Sequence, residues 1–285
     1  MRGIGIGKGL GGGLGGGLGR GLGLHNVLAN KYVGGFANKY SLEFDKTNDY
    51  LACGALDTYF KNVEKFSISM WVYQEDLTDS GQNGLWGKIR NDHNRIFGYI
   101  NLDGKIYFGI ENGSANTEGG FGKTQSADAL SADTWYHIVF VYNGGATGDA
   151  NRAKVYVNAS NKTLDFTDTI PATTSNDATY GTDAFKIGKF QNNDGDIFDG
   201  FIDEVGIWDE ALDADAVTAL YNSGTPFDIT KDSGNYDNAS DLQVWYRMGD
   251  GTEGASGSTI YDMSANSNNA TMTNFDGSDF KGSVP

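Results

Sequence analysis

Short runs of alternating hydrophobic and polar residues begin near residue 40, with clusters of Gly, Asn and Asp between them. In FSISMWV, apolar side chains from Phe66 to Val72 occupy every second position, and Ser67 and Ser69 lie between them. A period of two predicts β-strands that bury one face. Eight runs have this character: YSLEF (40–44), FSISMWV (66–72), RIFGYI (95–100), KIYFGI (105–110), WYHIVFVY (135–142), KVYVN (154–158), FKIGKF (185–190) and FIDEVGIW (201–208). The pattern predicts two packed antiparallel sheets.

One short helix is predicted after these strands, in ALDADAVTALYNSG. Asp213 is a suitable N-cap, because its carboxylate can accept hydrogen bonds from the first free backbone N–H groups. Val217, Leu220 and Tyr221 fall on one side of such a helix, and Gly224 is expected to end it. A single helix after a long series of strands is the expected order of elements.

The composition and charge narrow the class of protein. Hydrophobic residues make up 39% of the 285 residues and aromatic residues 13%, which is enough for a packed core. Cys53 is the only cysteine, so an internal disulfide is excluded. The formal net charge is −16, although residues 1–42 contain five basic residues and no acidic one. Because an acidic body repels phosphate groups, we expect no nucleic-acid partner.

The first 38 residues form a glycine-rich basic arm, with 13 glycines among the first 23 residues. The arm has no continuous apolar stretch, so neither a signal peptide nor a membrane span is expected. Leu10, Leu14, Leu18 and Leu22 recur every fourth position, but the glycines between them disfavour an isolated helix. Two interpretations stay open: a flexible tail, or an arm that anchors the chain on neighbouring subunits through these leucines.

The stretch DGFIDEVGIWDEALDADAVTALYNSG (199–224) resembles the closing signature of laminin-G-like domains of the concanavalin-A-like lectin family. YSLEFDKTNDYL (40–51), FSISMWV and WYHIVFVYNG with KVYVN are similar to earlier strands of that family. The resemblance covers about residues 39–225. It implies an all-β, two-sheet antiparallel jelly-roll sandwich with one short helix and a glycine-rich N-terminal arm.

The segment from residue 241 to 280 is similar to one found beside such domains in structural proteins of marine bacteriophages. Its matching pattern is W-x-x-x-G-D-G followed by D-x-S-x-N-x-N-x-A-T. A simple β extension of the same domain is the other interpretation. We therefore expect an arm (1–38), a sandwich (39–226) and a β-rich C-terminal extension packed on the sandwich (227–285).

The resemblance also implies a calcium site, because some members of this fold hold calcium on two rim loops. The comparable loops here are KIRNDHNRIF (88–97) and GKFQNNDGDIFDG (188–200). Clustered carboxylate, amide and carbonyl oxygens are the ligands that calcium requires, although Asn and Asp in loops more often form turns. The candidate ligands are Asp92, Asn94, Gln191, Asn192, Asn193 and Asp194.

Glycan binding is the second expected chemistry, since a sugar needs an aromatic platform and polar partners. Trp86, His93 and Tyr99 lie on or near the same loops. Catalysis is not expected: the three histidines show no metal-ligand spacing, and Asp203 and Glu204 should point to opposite faces of their strand. Trp71, Trp135 and Trp208 are expected to pack in the fold.

These observations favour a non-enzymatic bacteriophage virion structural protein, such as a capsid decoration protein or a tail or fibre component, assembled in the host cytoplasm. We expect a homo-oligomer that contacts other virion proteins through its arm and a host surface glycan through its loops. The alternative is a bacterial extracellular carbohydrate-binding adhesin module.

Overall fold

The computed structural model describes residues 36–78, 81–113, 119–180, 184–191, 196–250 and 257–285. Residues 37–285 form one compact unit. Leu10, Leu14, Leu18 and Leu22 of the arm lie outside the described residues, as do Asn192, Asn193 and Asp194. None of the described helices is long and apolar enough to cross a membrane.

Strands dominate the described residues, in agreement with the all-β prediction. Their bounds are β1 (Ser41–Asp45), β2 (Tyr50–Ala52), β3 (Lys65–Gln74), β4 (Asn83–Asn91), β5 (Asn94–Ile100), β6 (Ile106–Asn112), β7 (Gly119–Thr124), β8 (Trp135–Asn143), β9 (Ala153–Val157), β10 (Ser160–Lys162), β11 (Leu164–Thr167), β12 (Lys186–Ile187), β13 (Asp199–Trp208), β14 (Leu242–Tyr246), β15 (Thr259–Ile260), β16 (Ala270–Thr273) and β17 (Phe280–Lys281). In the described part of the chain, three α-helices accompany them: α1 (Asp57–Phe60), α2 (Asp149–Arg152) and α3 (Ala214–Tyr221).

The strands form two antiparallel sheets, as expected for a jelly-roll sandwich. Within the described chain, the eight-stranded sheet has the order β10-β9-β8-β3-β13-β1-β17, and β14 also pairs with β13. The nine-stranded sheet has the order β11-β7-β6-β5-β4-β12-β2-β16-β15. One edge of β13 is shared, because its first half pairs with β1 and its second half with β14.

The core lies between the inner faces of the two sheets. Ile68 and Met70 of β3 are fully buried there, as the alternating pattern predicts. From the nine-stranded sheet, Trp86 contacts Phe140 of the opposite sheet edge-on, with ring centroids 5.2 Å apart. Complete burial of a side chain of this size stabilises the folded state by roughly 3 kcal/mol.

The predicted helix is present as α3, and its N-cap is confirmed. The Asp213 carboxylate accepts hydrogen bonds from the N–H groups of Asp215 and Ala216. Asn222, rather than Gly224, ends the helix, because it adopts a left-handed conformation with φ 45° and its N–H bonds back to the helix.

The C-terminal segment contributes strands to both sheets, and its D-x-S-x-N-x-N pattern has a structural role. The Asp262 carboxylate accepts hydrogen bonds from the N–H groups of Trp245, Ser264 and Asn268. Asn266 Nδ2 donates to the carbonyl oxygens of β14. The pattern therefore fixes the loop before β16 against β14.

Asp203 and Glu204 occupy a β-bulge in β13, so the expectation that they point to opposite faces is wrong. Ile202 and Val205 both belong to the core, although they are three positions apart. In regular alternation, core residues would be two positions apart, so one residue is inserted between Ile202 and Val205. The inserted residue is Glu204, which has a φ of 47°. Its side chain lies beside Trp71 on the outer side of the sheet. Both carboxyl groups therefore lie on the same side of the strand.

Arg247 is the charged partner of this buried acidic pair. Its Nε donates to Glu204 at 3.1 Å, and its Nη2 lies 3.4 Å from Asp250. Trp245 Nε1 donates to the second Glu204 oxygen at 2.6 Å. Burial, together with the neighbouring carboxyl charge, holds the pKa of Asp203 well above its usual range. Burial raises the pKa of Glu204 to about 7, although Arg247 opposes the shift.

Candidate functional site

A row of aromatic side chains crosses the outer face of the nine-stranded sheet. Phe97 and Tyr99 come from β5, Tyr107 from β6 and Phe121 from β7. Phe190 comes from the segment between β12 and β13 and packs on the same face. These five side chains are called the aromatic row.

The rings of the aromatic row are arranged to form a continuous surface. Tyr99 stacks on Tyr107 with centroids 4.6 Å apart and planes at 12°. Phe190 stacks on the other side of Tyr99, also at 4.6 Å. Phe121 extends the row beyond Tyr107 at 5.6 Å. Tyr107 and Phe121 are partly exposed, whereas the other three rings are buried, so solvent reaches the row mainly at β6 and β7.

Glycines on the neighbouring strands make room for these rings. A Cβ atom at Gly109 would lie 2.2 Å from the Phe97 ring, and one at Gly87 would lie 2.5 Å from the Phe190 carbonyl oxygen. Both distances are shorter than any side chain could accept. The Phe97 ring can therefore lie over Gly109, and the main chain of Phe190 can approach Gly87, because the sequence omits a side chain at both positions.

Charged groups border the aromatic row on two sides. Arg95 binds Glu111 through two hydrogen bonds of 2.8 and 3.0 Å, and its guanidinium lies 5.1 Å from the Phe97 ring. Lys123 Nζ lies 6.0 Å from the Tyr107 ring. Burial is the main cause that raises the pKa of Tyr99, so its hydroxyl stays protonated at any physiological pH.

The chemistry of this face suits a ligand with one apolar and one polar side. The Tyr99 and Tyr107 hydroxyls make no hydrogen bond to any described residue, so both can donate to a ligand and accept from it. Stacked rings offer a flat apolar surface, while Lys123 offers a donor at its edge. A pyranose ring has the matching combination of C–H groups and hydroxyls.

The structure places the predicted glycan residues in three different environments. Tyr99 belongs to the aromatic row, and Gln191, a calcium-ligand candidate, directly follows Phe190 of that row. The prediction for Trp86 is wrong, because its ring is fully buried between the sheets and presents no surface to a ligand. His93 is exposed at the tip of the β4–β5 hairpin.

Polar side chains at the hairpin tip bind other residues of the protein. Ser175 Oγ donates to Asn94 Oδ1 at 2.5 Å, and the Asp92 carboxylate lies 3.4 Å from Arg95 Nη1. The tip is five residues from Tyr99 along β5, which corresponds to about 16 Å. Asp92 and Asn94 therefore lie far from the centre of the aromatic row.

The calcium site stays a prediction. Among the described residues, no group of three or more His, Cys, Asp or Glu side chains is arranged to hold a metal ion. Gln191 is described and partly exposed, but the three predicted ligands after it are not described.

Sequence reasoning missed four members of the aromatic row: Phe97, Tyr107, Phe121 and Phe190. A signal was present in RIFGYI and KIYFGI, where bulky apolar residues occupy consecutive positions. Such strands are covered on both faces, and the second face here is the outer one.

Solved structures with the same architecture are numerous at low identity. A Bacteroides ovatus ATCC 8483 protein provisionally described as carbohydrate-binding is 16% identical over 84% of this chain, with a TM-score of 0.54, and this chain covers 59% of that one. The Ruminococcus gnavus sialidase module CBM40, bound to α2,3-sialyllactose, is 14% identical over 66% of this chain and is covered completely, with a TM-score of 0.47. Tailspike protein 2 of Escherichia coli O157:H7 bacteriophage CAB120 is 13% identical over 73% of this chain and is covered to 26%, with a TM-score of 0.48.

At such identities these likenesses concern the fold alone, and the comparison with curated proteins gave no match. A family model described as the concanavalin A-like lectin/glucanases superfamily matches residues 45–218, more than half of the chain. The match includes the strands that carry Phe97, Tyr99, Tyr107 and Phe121. The chain therefore belongs to the concanavalin A-like lectin/glucanases superfamily.

Proposed function

We propose that this chain is a non-catalytic carbohydrate-binding protein whose ligand lies on the aromatic row. The observation that carries the proposal is the row itself, because stacked rings cross adjacent strands on the outer face of the sheet. The partly exposed rings of Tyr107 and Phe121 would contact the C–H face of a sugar. Lys123 and the free tyrosine hydroxyls would bind its hydroxyl groups.

The charges on this face support binding rather than hydrolysis. A typical glycosidase needs two carboxyl groups on opposite sides of the scissile bond, one of them able to donate a proton. Among the described residues that border the row, Glu111 is held by two hydrogen bonds from Arg95. With both carboxylate oxygens held by the Arg95 guanidinium, Glu111 is not presented to a glycosidic bond.

The proposed setting is a bacteriophage virion, in a capsid decoration protein or a tail or fibre component, with anchoring by the basic arm and assembly as a homo-oligomer. The resemblance of residues 241–280 to segments of phage structural proteins supports this setting. An extracellular bacterial adhesin is the alternative. Mass spectrometry of purified particles distinguishes the two, since only a virion component copurifies with particles in fixed stoichiometry.

Glycan binding is tested by titrating the full chain against an oligosaccharide array and measuring affinities by calorimetry, with calcium and with a chelator. Tyr107→Ala should weaken binding about tenfold, since loss of one aromatic platform costs about 1.4 kcal/mol. Tyr261→Ala is the matched control, because Tyr261 is 40% exposed and lies outside the row. Equal affinities for the two variants would refute the proposed site. A loss of affinity in the chelator would support the predicted calcium site.

A further inference from the structure

A second aromatic surface lies on the other side of the sandwich, on the outer face of the eight-stranded sheet. Trp135 of β8 is the register partner of Tyr73 of β3, which in turn faces Phe201 of β13. The Trp135 and Phe201 rings lie 5.6 and 5.3 Å from the Tyr73 ring. These three side chains are called the Trp135 platform.

The Trp135 platform lies next to the part of the sheet that is covered by Tyr221, the last residue of α3. One row further along β3 and β8, Tyr221 of α3 covers Trp71 and His137, with centroids 5.9 and 6.0 Å apart. Trp71 and His137 are consequently buried, at 4% and 2% exposure. All three rings of the platform remain partly exposed. The expectation that Trp135 packs in the fold is therefore only partly met.

The platform offers a hydrogen-bond donor and a hydrogen-bond acceptor beside its rings. Trp135 Nε1–H makes no hydrogen bond with any described residue. The Tyr73 hydroxyl lies 3.3 Å from the Asp133 carboxylate, to which it donates. A buried indole N–H normally has a hydrogen-bond partner. Because the Trp135 N–H is bonded to no described residue, it is available to a ligand.

Carboxylates surround the platform and select the charge of its ligand. Glu43 lies beside Phe201 in the sheet and is bound to Lys281 at 2.7 Å. Burial and repulsion from Asp199, Glu43 and Asp133 raise the pKa of Glu75. An anionic ligand would meet the same repulsion, whereas a polyhydroxylated ligand would find acceptors for its hydroxyl protons.

We propose that the Trp135 platform is a second carbohydrate-binding site, which takes an uncharged pyranose. The apolar face of the sugar lies on Trp135 and Phe201, its hydroxyls donate to Asp133, and Trp135 Nε1–H donates to a ring or hydroxyl oxygen. The site is independent of the aromatic row, because the two surfaces belong to different sheets. A chain with both sites could bridge two segments of one polysaccharide.

The test titrates the full chain with neutral hexaoses of the cello, laminari, malto and chito series, and with oligogalacturonate as the anionic comparison. Trp135→Ala should weaken binding of a neutral hexaose at this site at least tenfold, and Trp135→Phe should cause a smaller loss because a smaller aromatic ring remains although the N–H is removed. Tyr107→Ala is the matched control, since it alters only the aromatic row.

At a hexaose concentration that fills both sites of the wild type, native mass spectrometry should count two bound hexaoses for the wild type and predominantly one for Trp135→Ala and for Tyr107→Ala. The Trp135 Nε1–H resonance is identified as the one that is missing from the spectrum of Trp135→Phe. In the wild-type protein this resonance should shift when a neutral hexaose is added. This measurement tests the site without altering the Trp135 side chain. An unshifted resonance, or preference for oligogalacturonate, overturns the proposal. A change from oligomer to monomer in Trp135→Ala with unaltered hexaose binding would instead assign the platform to a second copy of the chain. If Tyr107→Ala has no effect while Trp135→Ala does, the aromatic row fails and the Trp135 platform stands.

Discussion

The charge of Glu204 should determine part of the response of stability to pH. This residue is buried, and its pKa rises from 4.5 to about 7 in the folded protein. A raised carboxyl pKa stabilises the folded state below the unfolded pKa, and this contribution disappears as pH increases through the folded pKa. The shift corresponds to about 3 kcal/mol. We therefore expect Glu204→Gln to remove the part of the pH response of stability that favours the wild type on acidification from pH 8 to pH 5.

The comparison between wild type and variant is essential, because other buried groups titrate too. His137 has its pKa lowered to about 3 by burial, so its contribution is lost as pH falls from about 6.5 and opposes that of Glu204. Asp203 acts in the same direction as Glu204, since burial and the neighbouring Glu204 charge both raise its pKa. His137 and most of the Asp203 contribution are common to both proteins, so the difference between them isolates Glu204 together with its effect on Asp203.

The assay is urea unfolding at pH 5 and pH 8, followed by tryptophan fluorescence. The difference in unfolding free energy between wild type and Glu204→Gln should change by about 2 to 3 kcal/mol between the two pH values. Glu64→Gln is the control, because Glu64 is exposed and its variant should follow the wild type. A pH-independent difference for Glu204→Gln would mean that Arg247 keeps Glu204 ionised throughout, and it would refute this reasoning.

Two further substitutions test the packing and capping described above. Gly109→Ala should destabilise the fold by about 1 to 3 kcal/mol, since the new Cβ would meet the Phe97 ring at 2.2 Å. Thermal unfolding measures this loss. Gly145→Ala is the control and should change stability little, because the nearest atom to its new Cβ is 3.6 Å away. Asp213→Ala should cost about 0.5 to 2 kcal/mol through loss of the α3 N-cap, whereas Thr218→Ala at an exposed helix position should cost less; equal losses in urea unfolding would contradict the capping role.

The alternating pattern predicted the strands that bury one face, but it did not predict strands that end at a glycine or consist largely of glycine. All eight predicted runs contain a strand, but FKIGKF yields only Lys186–Ile187. Gly188 has a φ of 79°, which ends the strand and sends Phe190 to the outer face. β7, with the sequence GGFGKT, was missed because its glycines do not register as hydrophobic positions. Those glycines are needed where rings and loops approach the backbone.

The candidate site was only partly predictable, because the face of a strand that an aromatic residue occupies depends on the register of pairing. Trp86 pairs with Gly98 and Ile187 and points inwards, whereas Tyr99, one position beyond Gly98, points outwards. A shift of one residue would exchange these faces. Phe190 joins the row through a contact between distant segments, which no local pattern encodes.

The pairing of early with late strands has a consequence for synthesis in the cell. Leu42 of β1 pairs with Phe280 of β17, and Leu51 of β2 pairs with Met272 of β16. At ordinary elongation rates, a ribosome needs roughly 10 to 50 s to translate the chain between such partners. During that interval the free edges of β1 and β2 are open to pairing with other nascent chains. Protection of the first two strands while the remainder is translated should therefore govern the yield of folded protein.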